Sequence, residues 1–314
     1  VLIAGASGNL GSLLARHLAP TNLRLRLMEH ETPIPPDLRR APSVAVVKGD
    51  LARRETLPTA VRGADVVVHL AGVLFRPRAH RFLPETNTRW FADLLDVCLE
   101  AGVGRVILAS FPQTEGPTTP EEPARGRLDG EPISVHARTR LEQERLLCER
   151  TRGTSTTPVI LRYGMVYGRG ILMIEAARWL ARRRLLSVWT RPTWYHPLST
   201  EDFLAATEAA IVRPGVEGIY HVADDEPILL QDMMDRACEV WERRRPWRLP
   251  FPLIFTAGWL CEMFAMLART RSPLTRDFLR IGRVSHAGDT RRAREHLLPE
   301  LAQPTFREGV DLLR

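Results

Sequence analysis

At 314 residues and 44% apolar content, the chain has the length of one large domain or two ordinary ones and the composition of a globular protein. Its 44 Lys and Arg against 37 Asp and Glu leave a net charge of +7, which attracts anionic partners without naming them. The basic clusters Arg182-Arg183-Arg184 and Arg243-Arg244-Arg245 lack interleaved aromatics for base stacking, which argues against nucleic acid as a partner.

The four cysteines, Cys98, Cys148, Cys238 and Cys261, have no paired spacing for metal or disulfide work and point to a reduced, cytoplasmic setting. No metal site is expected. The chain opens inside a strand with no leader-like segment, so an initiator methionine and a few residues are expected before Val1. Lys48 is the only lysine, so any mechanism needing a lysine elsewhere is excluded.

In chain order, Val1-Leu2-Ile3-Ala4 is a short apolar strand that stops at Gly5, and Gly8 and Gly11 follow at three-residue spacing. An amphipathic run, Leu13 to Leu18, comes next, so the order is strand, tight turn, helix. Such a turn aims helix N-terminal amides at a pyrophosphate: Gly5 for the turn, Gly8 for close approach, Gly11 for packing, with Ser7, Asn9 and Leu10 between. The second strand, Leu23–Met28, ends at Glu29, eighteen positions after Gly11 and placed to accept the adenosine ribose hydroxyls. That carboxylate favours NAD; His30, Arg39 and Arg40 nearby leave NADP as the alternative.

A proline-rich loop precedes a third strand, Ser43–Val47, which leads into Asp50-Leu51. Ala64 to Gly72 is a buried fourth strand ending in the small-residue turn Leu70-Ala71-Gly72. A helix over roughly Asn87–Ala101 precedes the strand Arg105–Ala109, and a helix near Ser134–Arg150 precedes the strand Pro158–Arg162. This alternation predicts an α/β fold, a Rossmann-type doubly wound parallel sheet whose ligand wall is the carboxyl ends of its strands. Glu29, Asp50, Leu51, Ala71, Gly72, Ser110, Tyr163, Gly164 and Met165 all fall on that wall. Residues 1–165 are expected to form the dinucleotide domain, with 195–224 returning to it; 166–194 and 225–314 form a smaller substrate lobe.

The chain resembles the extended short-chain dehydrogenase/reductases, the NAD-dependent epimerase/dehydratase group, over nearly its whole length. Beside the glycine turn, Asp50-Leu51 is similar to the group's adenine-contacting pair and His69-Leu70-Ala71-Gly72 to its fourth-strand motif. Asn87 sits where the family usually has Asn, and Leu161 to Gly168 resembles the segment along the nicotinamide. Pro197–Phe203 and Tyr220–Ala223 match two later motifs. The resemblance implies a bound NAD or NADP, and a homodimer through the helices Asn87–Ala101 and Ser134–Arg150.

The family's chemistry uses a Tyr, a Lys four residues later and an upstream hydroxyl, and here the pattern departs. Thr139, Leu141 and Glu144 fix the register, which puts His136 at the Tyr position and Arg140 at the Lys position. Ala109-Ser110-Phe111 puts Phe111 at the hydroxyl position, with Ser110 one residue early. None of the four tyrosines has a basic residue four places on, and Tyr167 is the hydroxyl left to reach the site. Two readings follow. Either His136, with an ordinary pKa near 6.5, is the acid/base, Arg140 the ribose anchor and Ser110 the polariser, or the redox step is lost and a dinucleotide-binding subunit or sensor remains.

Leu249–Ala268 is the most hydrophobic segment, bracketed by Arg245, Arg248, Arg269 and Arg271. Pro250, Pro252 and Glu262 leave too short an apolar run for a membrane span. It reads first as a lobe helix whose Phe255, Trp259, Met263 and Phe264 line a pocket for an apolar small molecule. A partner surface and a helix lying on an anionic membrane through 249–268 are the alternatives.

Overall fold

The computed structural model describes residues 1–73, 76–270, 272 and 274–314. Its first half is a strict strand–helix alternation: β1 (Leu2–Ala4), α1 (Asn9–Leu18), β2 (Leu25–Glu29), α2 (Pro36–Arg39) and β3 (Val44–Lys48). There follow α3 (Leu57–Val61), β4 (Val66–His69), α4 (Trp90–Glu100), β5 (Arg105–Ser110), α5 (Val135–Arg150) and β6 (Thr157–Tyr163). The second half breaks into short strands, β7 (Met165–Tyr167), β8 (Ser187–Trp189), β9 (Trp194–Tyr195) and β10 (Pro197–Ser199), with α6 (Leu172–Arg182) after β7. Then come α7 (Thr200–Val212), β11 (Gly218–Val222), β12 (Ile228–Leu229), α8 (Leu230–Val240), β13 (Trp247–Leu249), α9 (Phe251–Leu267) and α10 (Arg276–Gly282).

Seven strands form one parallel sheet in the order β11-β6-β5-β4-β1-β2-β3, the doubly wound architecture anticipated above. Both faces are covered, which is why β4 can be a run of Val66, Val67 and Val68 with no polar alternation. One face packs Ile3, Leu27, Val68, Ile107 and Leu161 against α1 and α7. The other packs Leu2, Ala4, Val67, Val106 and Leu108 against α3, α4 and α5.

A third apolar cluster lies outside the sheet, around Tyr167, Ile174, Trp189, Met233, Trp241, Ile254 and Leu279. It is joined to the sheet partly through Asp202 at the start of α7, whose carboxylate accepts from Ala302 and Gln303 amides at 2.7 and 3.1 Å. The expected helix from Asn87 begins differently. Pro84–Arg89 forms a wider π-type turn before α4 and carries Asn87 inward, where its amide donates to Thr139 Oγ1 at 3.0 Å.

Candidate functional site

The glycine turn is built as its spacing requires. Gly5 has φ +94°, and a Cβ there would sit 2.7 Å from the Ala71 amide nitrogen at the end of β4. A Cβ on Gly11 would approach the Gly5 carbonyl oxygen to 2.1 Å, so α1 is seated directly on the turn. The Gly8 amide closes the loop onto Gly5 O at 2.9 Å, leaving Gly8 and Asn9 exposed at the helix start. Asn9 also ties the turn to the start of α6, because its side chain donates to Gly170 O at 2.7 Å and accepts from the Leu172 amide at 2.9 Å. Leu10 packs between the sheet cluster and the outlying one.

The two carboxylates expected near an adenosine, Glu29 and Asp50, already have protein partners. Glu29 is 3% exposed, and it accepts from Lys48 Nζ at 2.5 Å, from the Ile34 amide at 2.7 Å and from Arg39. These donors, Lys48 first, hold its carboxyl down at about 2. Glu29 is therefore ionised and already accepts from protein donors, because parallel pairing sets Lys48 beside it on β3. Asp50 accepts from the Ala52 amide at 2.9 Å and lies 3.3 Å from His30 Nε2, with Leu51 following it.

The candidate reactive residues lie on β4, β5 and α5. Ser134 caps α5 by accepting from the Ala137 amide at 3.0 Å, which starts the helix so that His136 and Arg140 face inward one turn apart. Phe111, just past β5, stacks on His136 with centroids 5.5 Å apart and planes at 26°. Arg140 is 8% exposed and reaches under the β4 end, where a Cβ on Gly72 would come 3.3 Å from its Nη2. Its Nε and Nη1 are buried without a hydrogen-bond partner, as is His69 Nδ1 below. Burial pulls Arg140 down to about 10, partly offset by Glu144. Burial, then the Arg140 charge, lowers His136 to about 3, far from the ordinary value that proton transfer at neutral pH assumed.

Two hydroxyls expected near this centre are committed elsewhere, and that of Tyr167 is buried outside it. Ser110 Oγ donates to Glu144 behind the strand end. Tyr163 shares a hydrogen with Thr207 at 2.7 Å and packs edge-on to Phe203, so it offers the site backbone only. Tyr167 is fully buried against Phe306, centroids 4.8 Å apart, in the outlying cluster. Ala109, Gly164 and Met165 do lie at the strand ends, with the Met165 amide donating to His196 O at 2.8 Å.

A buried polar network was missed at the sequence level. Arg162, 0% exposed on β6, donates to both Glu144 oxygens at 3.1 and 2.5 Å, to Glu115, and to Arg127 O at 2.8 Å. His221 Nε2 lies 3.4 Å from Glu115, which its donors hold at about 2 against the opposing effect of burial. The only signal was an arginine inside an apolar strand run. An apolar cleft beside the site is lined by Phe111, Met165, Met173, Tyr195, Phe278 and Ile281. The α9 side chains expected to line it do not: Trp259, Met263 and Phe264 are exposed and Phe255 packs beside Phe251, because the face of α9 that packs inward is Ile254, Gly258, Glu262 and Ala265. Arg271 lies outside the described residues.

A family model described as the NAD dependent epimerase/dehydratase family matches residues 1–190. Among curated proteins, the chain is 27% identical to a ceramide reductase of Caulobacter vibrioides over 276 residues, 87% of this chain and 80% of that one. It is 23% identical to a 2-alkyl-3-oxoalkanoate reductase of Shewanella oneidensis, over 88% of this chain and 76% of that one. Among solved structures it superposes on a UDP-glucuronic acid 4-epimerase from Bacillus cereus in complex with NAD, TM-score 0.77, 16% identity, covering 99% and 96% of the two chains. That last likeness is one of fold.

Proposed function

The chain belongs to the NAD dependent epimerase/dehydratase family, and on that premise we propose that it binds NAD along the carboxyl ends of β1 to β6 and handles an apolar small molecule in the adjoining cleft. The observation that carries this reading is Arg140. Two buried guanidinium donors with no partner beneath an exposed glycine fit the ribose hydroxyls of a nicotinamide nucleotide, and the glycine cradle at Gly5–Gly11 fits its pyrophosphate. When bound, the nicotinamide supplies hydride transfer at the substrate carbon. Asn9 and Leu10 at the start of α1 offer backbone amides to the diphosphate; Asp50 and Leu51 border the adenine, Leu70–Gly72 and Asn87 the middle of the site, and Arg140 anchors the ribose. His136, held neutral, stands at the position from which a proton would move.

The lobe formed by 166–194 and 225–314 is the proposed substrate side. The adjoining cleft's lining of Phe111, Met165, Met173, Phe278 and Ile281 favours an apolar ligand, as does the likeness to a ceramide reductase and a 2-alkyl-3-oxoalkanoate reductase. A homodimer through α4 and α5 and a cytoplasmic setting with all four cysteines free complete the proposal. Calorimetric titration with NAD, NADH, NADP and NADPH tests it. Micromolar binding of NADH is expected; no binding of any of the four removes the premise.

A second reading has its own support. Phe111 in place of a hydroxyl and an imidazole lowered to about 3 both weaken proton transfer, which favours a dinucleotide-binding subunit that keeps its nucleotide without turnover. Nucleotide that co-purifies and fails to exchange with labelled NAD distinguishes it from a reductase.

A further inference from the structure

We propose that the outward face of α9 docks this protein on the surface of an anionic lipid bilayer. The helix has its polarity inverted. Its only ionisable side chain besides Cys261, Glu262, is 3% exposed and turned inward, accepting from the Arg276 amide at 2.8 Å and from Arg276 Nε at 2.7 Å. Its outward face carries Leu253, Trp259, Leu260, Met263, Phe264 and Leu267, exposed by 38% at Met263 to 81% at Leu267. The one hydroxyl on that face, Thr256, donates to Pro252 O at 2.9 Å within the helix. A water-facing helix carries its charges outside.

The helix cannot roll to hide this face. Gly258 sits so close to α10 that a Cβ there would come 2.8 Å from Leu279 Cδ1, and rolling would also strip Glu262 from Arg276. The exposed apolar surface is thus fixed by packing.

Charge selects the occupant. Residues 243–283 contain nine arginines and two acids, Glu262 and Asp277; Arg245 and Arg248 pair with Glu239 and Asp235 of α8 and Arg276 with Glu262, which leaves Arg269, Arg280 and Arg283 as the cations beside α9. Both acids are used inside, Glu262 by Arg276 and Asp277 by the Val135 and His136 amides at the start of α5. Arg280 and Arg283 lie over the Phe255 and Phe251 rings at 5.5 and 4.6 Å, flanking the helix with cations. Arg269 at its end and Arg283 make no ion pair among the described residues. A second copy docked face to face would oppose these like charges, whereas a bilayer rich in acidic headgroups offers a hydrocarbon layer beneath a negative surface. Among the described residues no helix is long and apolar enough to cross a membrane, so α9 lies in the interface plane.

Flotation of the full chain with vesicles at low salt tests this, using phosphatidylcholine alone and an equal mixture with phosphatidylserine. The protein is expected to float with the mixed vesicles and to bind uncharged ones about tenfold less. The double variant Leu260→Glu, Phe264→Glu is expected to stay at the bottom of the gradient, with its melting temperature and nucleotide affinity those of the parent. Arg269→Glu with Arg283→Glu should weaken flotation and leave folding intact. Absence of parent protein from both vesicle fractions overturns the proposal, and equal flotation with uncharged vesicles overturns its anionic part. A concentration-dependent dimer abolished by Leu260→Glu, without vesicle binding, assigns the face to a second copy instead.

Discussion

Replacing Arg140 with Met should stabilise the nucleotide-free protein while weakening its hold on nucleotide. The guanidinium is 8% exposed, with Nε and Nη1 buried and unpartnered, and burial lowers it from 12.5 to about 10. A depression of that size corresponds to a cost of about 3 kcal/mol for keeping the charged form in the fold, at one pKa unit per 1.36 kcal/mol. The cost is present at every pH below about 10 and is relieved only above it, because the unfolded chain holds this proton more tightly. Met keeps most of the stem's packing volume and removes the charge. For 314 residues the unfolding entropy is about 0.7 kcal/mol per kelvin, so the nucleotide-free variant should melt higher by about 4 °C. Loss of charged donors to the ribose should cost about 2 kcal/mol of binding, roughly thirtyfold in Kd. The assay is a melting curve with and without saturating NADH, supported by calorimetry. An unliganded variant that melts below the parent and binds NADH as tightly would refute the reasoning and make Arg140 a packing residue.

Three further substitutions or conditions probe the turn, the buried network and the imidazoles. Gly11→Ala puts a Cβ 2.1 Å from the Gly5 carbonyl, so nucleotide binding should vanish and stability fall by about 1–3 kcal/mol; unchanged calorimetry would contradict the close seating of α1. Glu144→Gln leaves Arg162 short of its fully buried partner and should cost about 3–5 kcal/mol, seen as a melting point roughly 4–7 °C lower; a fall under about 1 °C counts against the network. Burial holds His69, His136 and His196 at about 3 and His286 at about 4, while Asp224, raised to about 8 chiefly by burial, works in the opposite sense. Near pH 5 the unfolded chain therefore binds about three more protons than the fold, and stability should drop by about 4 kcal/mol per pH unit below about pH 6. Equal urea midpoints at pH 7.5 and pH 5 would show that these imidazoles are not buried neutral.

The sheet was legible because most of its strands are short apolar runs rich in Val and Ile, a local signal. Thr157–Tyr163 and Arg105–Ser110 fall within a residue of their expected bounds for that reason. The Arg162 cluster was not legible, since its members come from β5, the loop after it, α5, β6 and β11, and only the tertiary fold brings them together. The donors around Glu29 were hidden for a related reason: nothing local says that β3 pairs in the register that sets Lys48 beside it. On α9 the helix itself was readable, but a segment apolar on every side carries no mark of which face turns inward. Gly258 and the Glu262–Arg276 pair decide that.

The three altered positions make one electrostatic unit. In the family pattern the resemblance implies, a lysine beside a tyrosine favours the phenolate and so makes the tyrosine a usable base. The same cation beside an imidazole does the opposite, because it favours the uncharged ring. Arg140 therefore cannot activate His136 as a lysine activates a tyrosine, and burial against Phe111 adds to the effect. A neutral imidazole with its conjugate acid near 3 is a weak base for oxidising an alcohol. Its remaining N–H is a weaker acid still for reducing a carbonyl. The residues proposed to hold a nucleotide are thus uncoupled from those that would move a proton, and only a substrate that carries its own acid or base, or whose charge raises His136 on binding, restores the link.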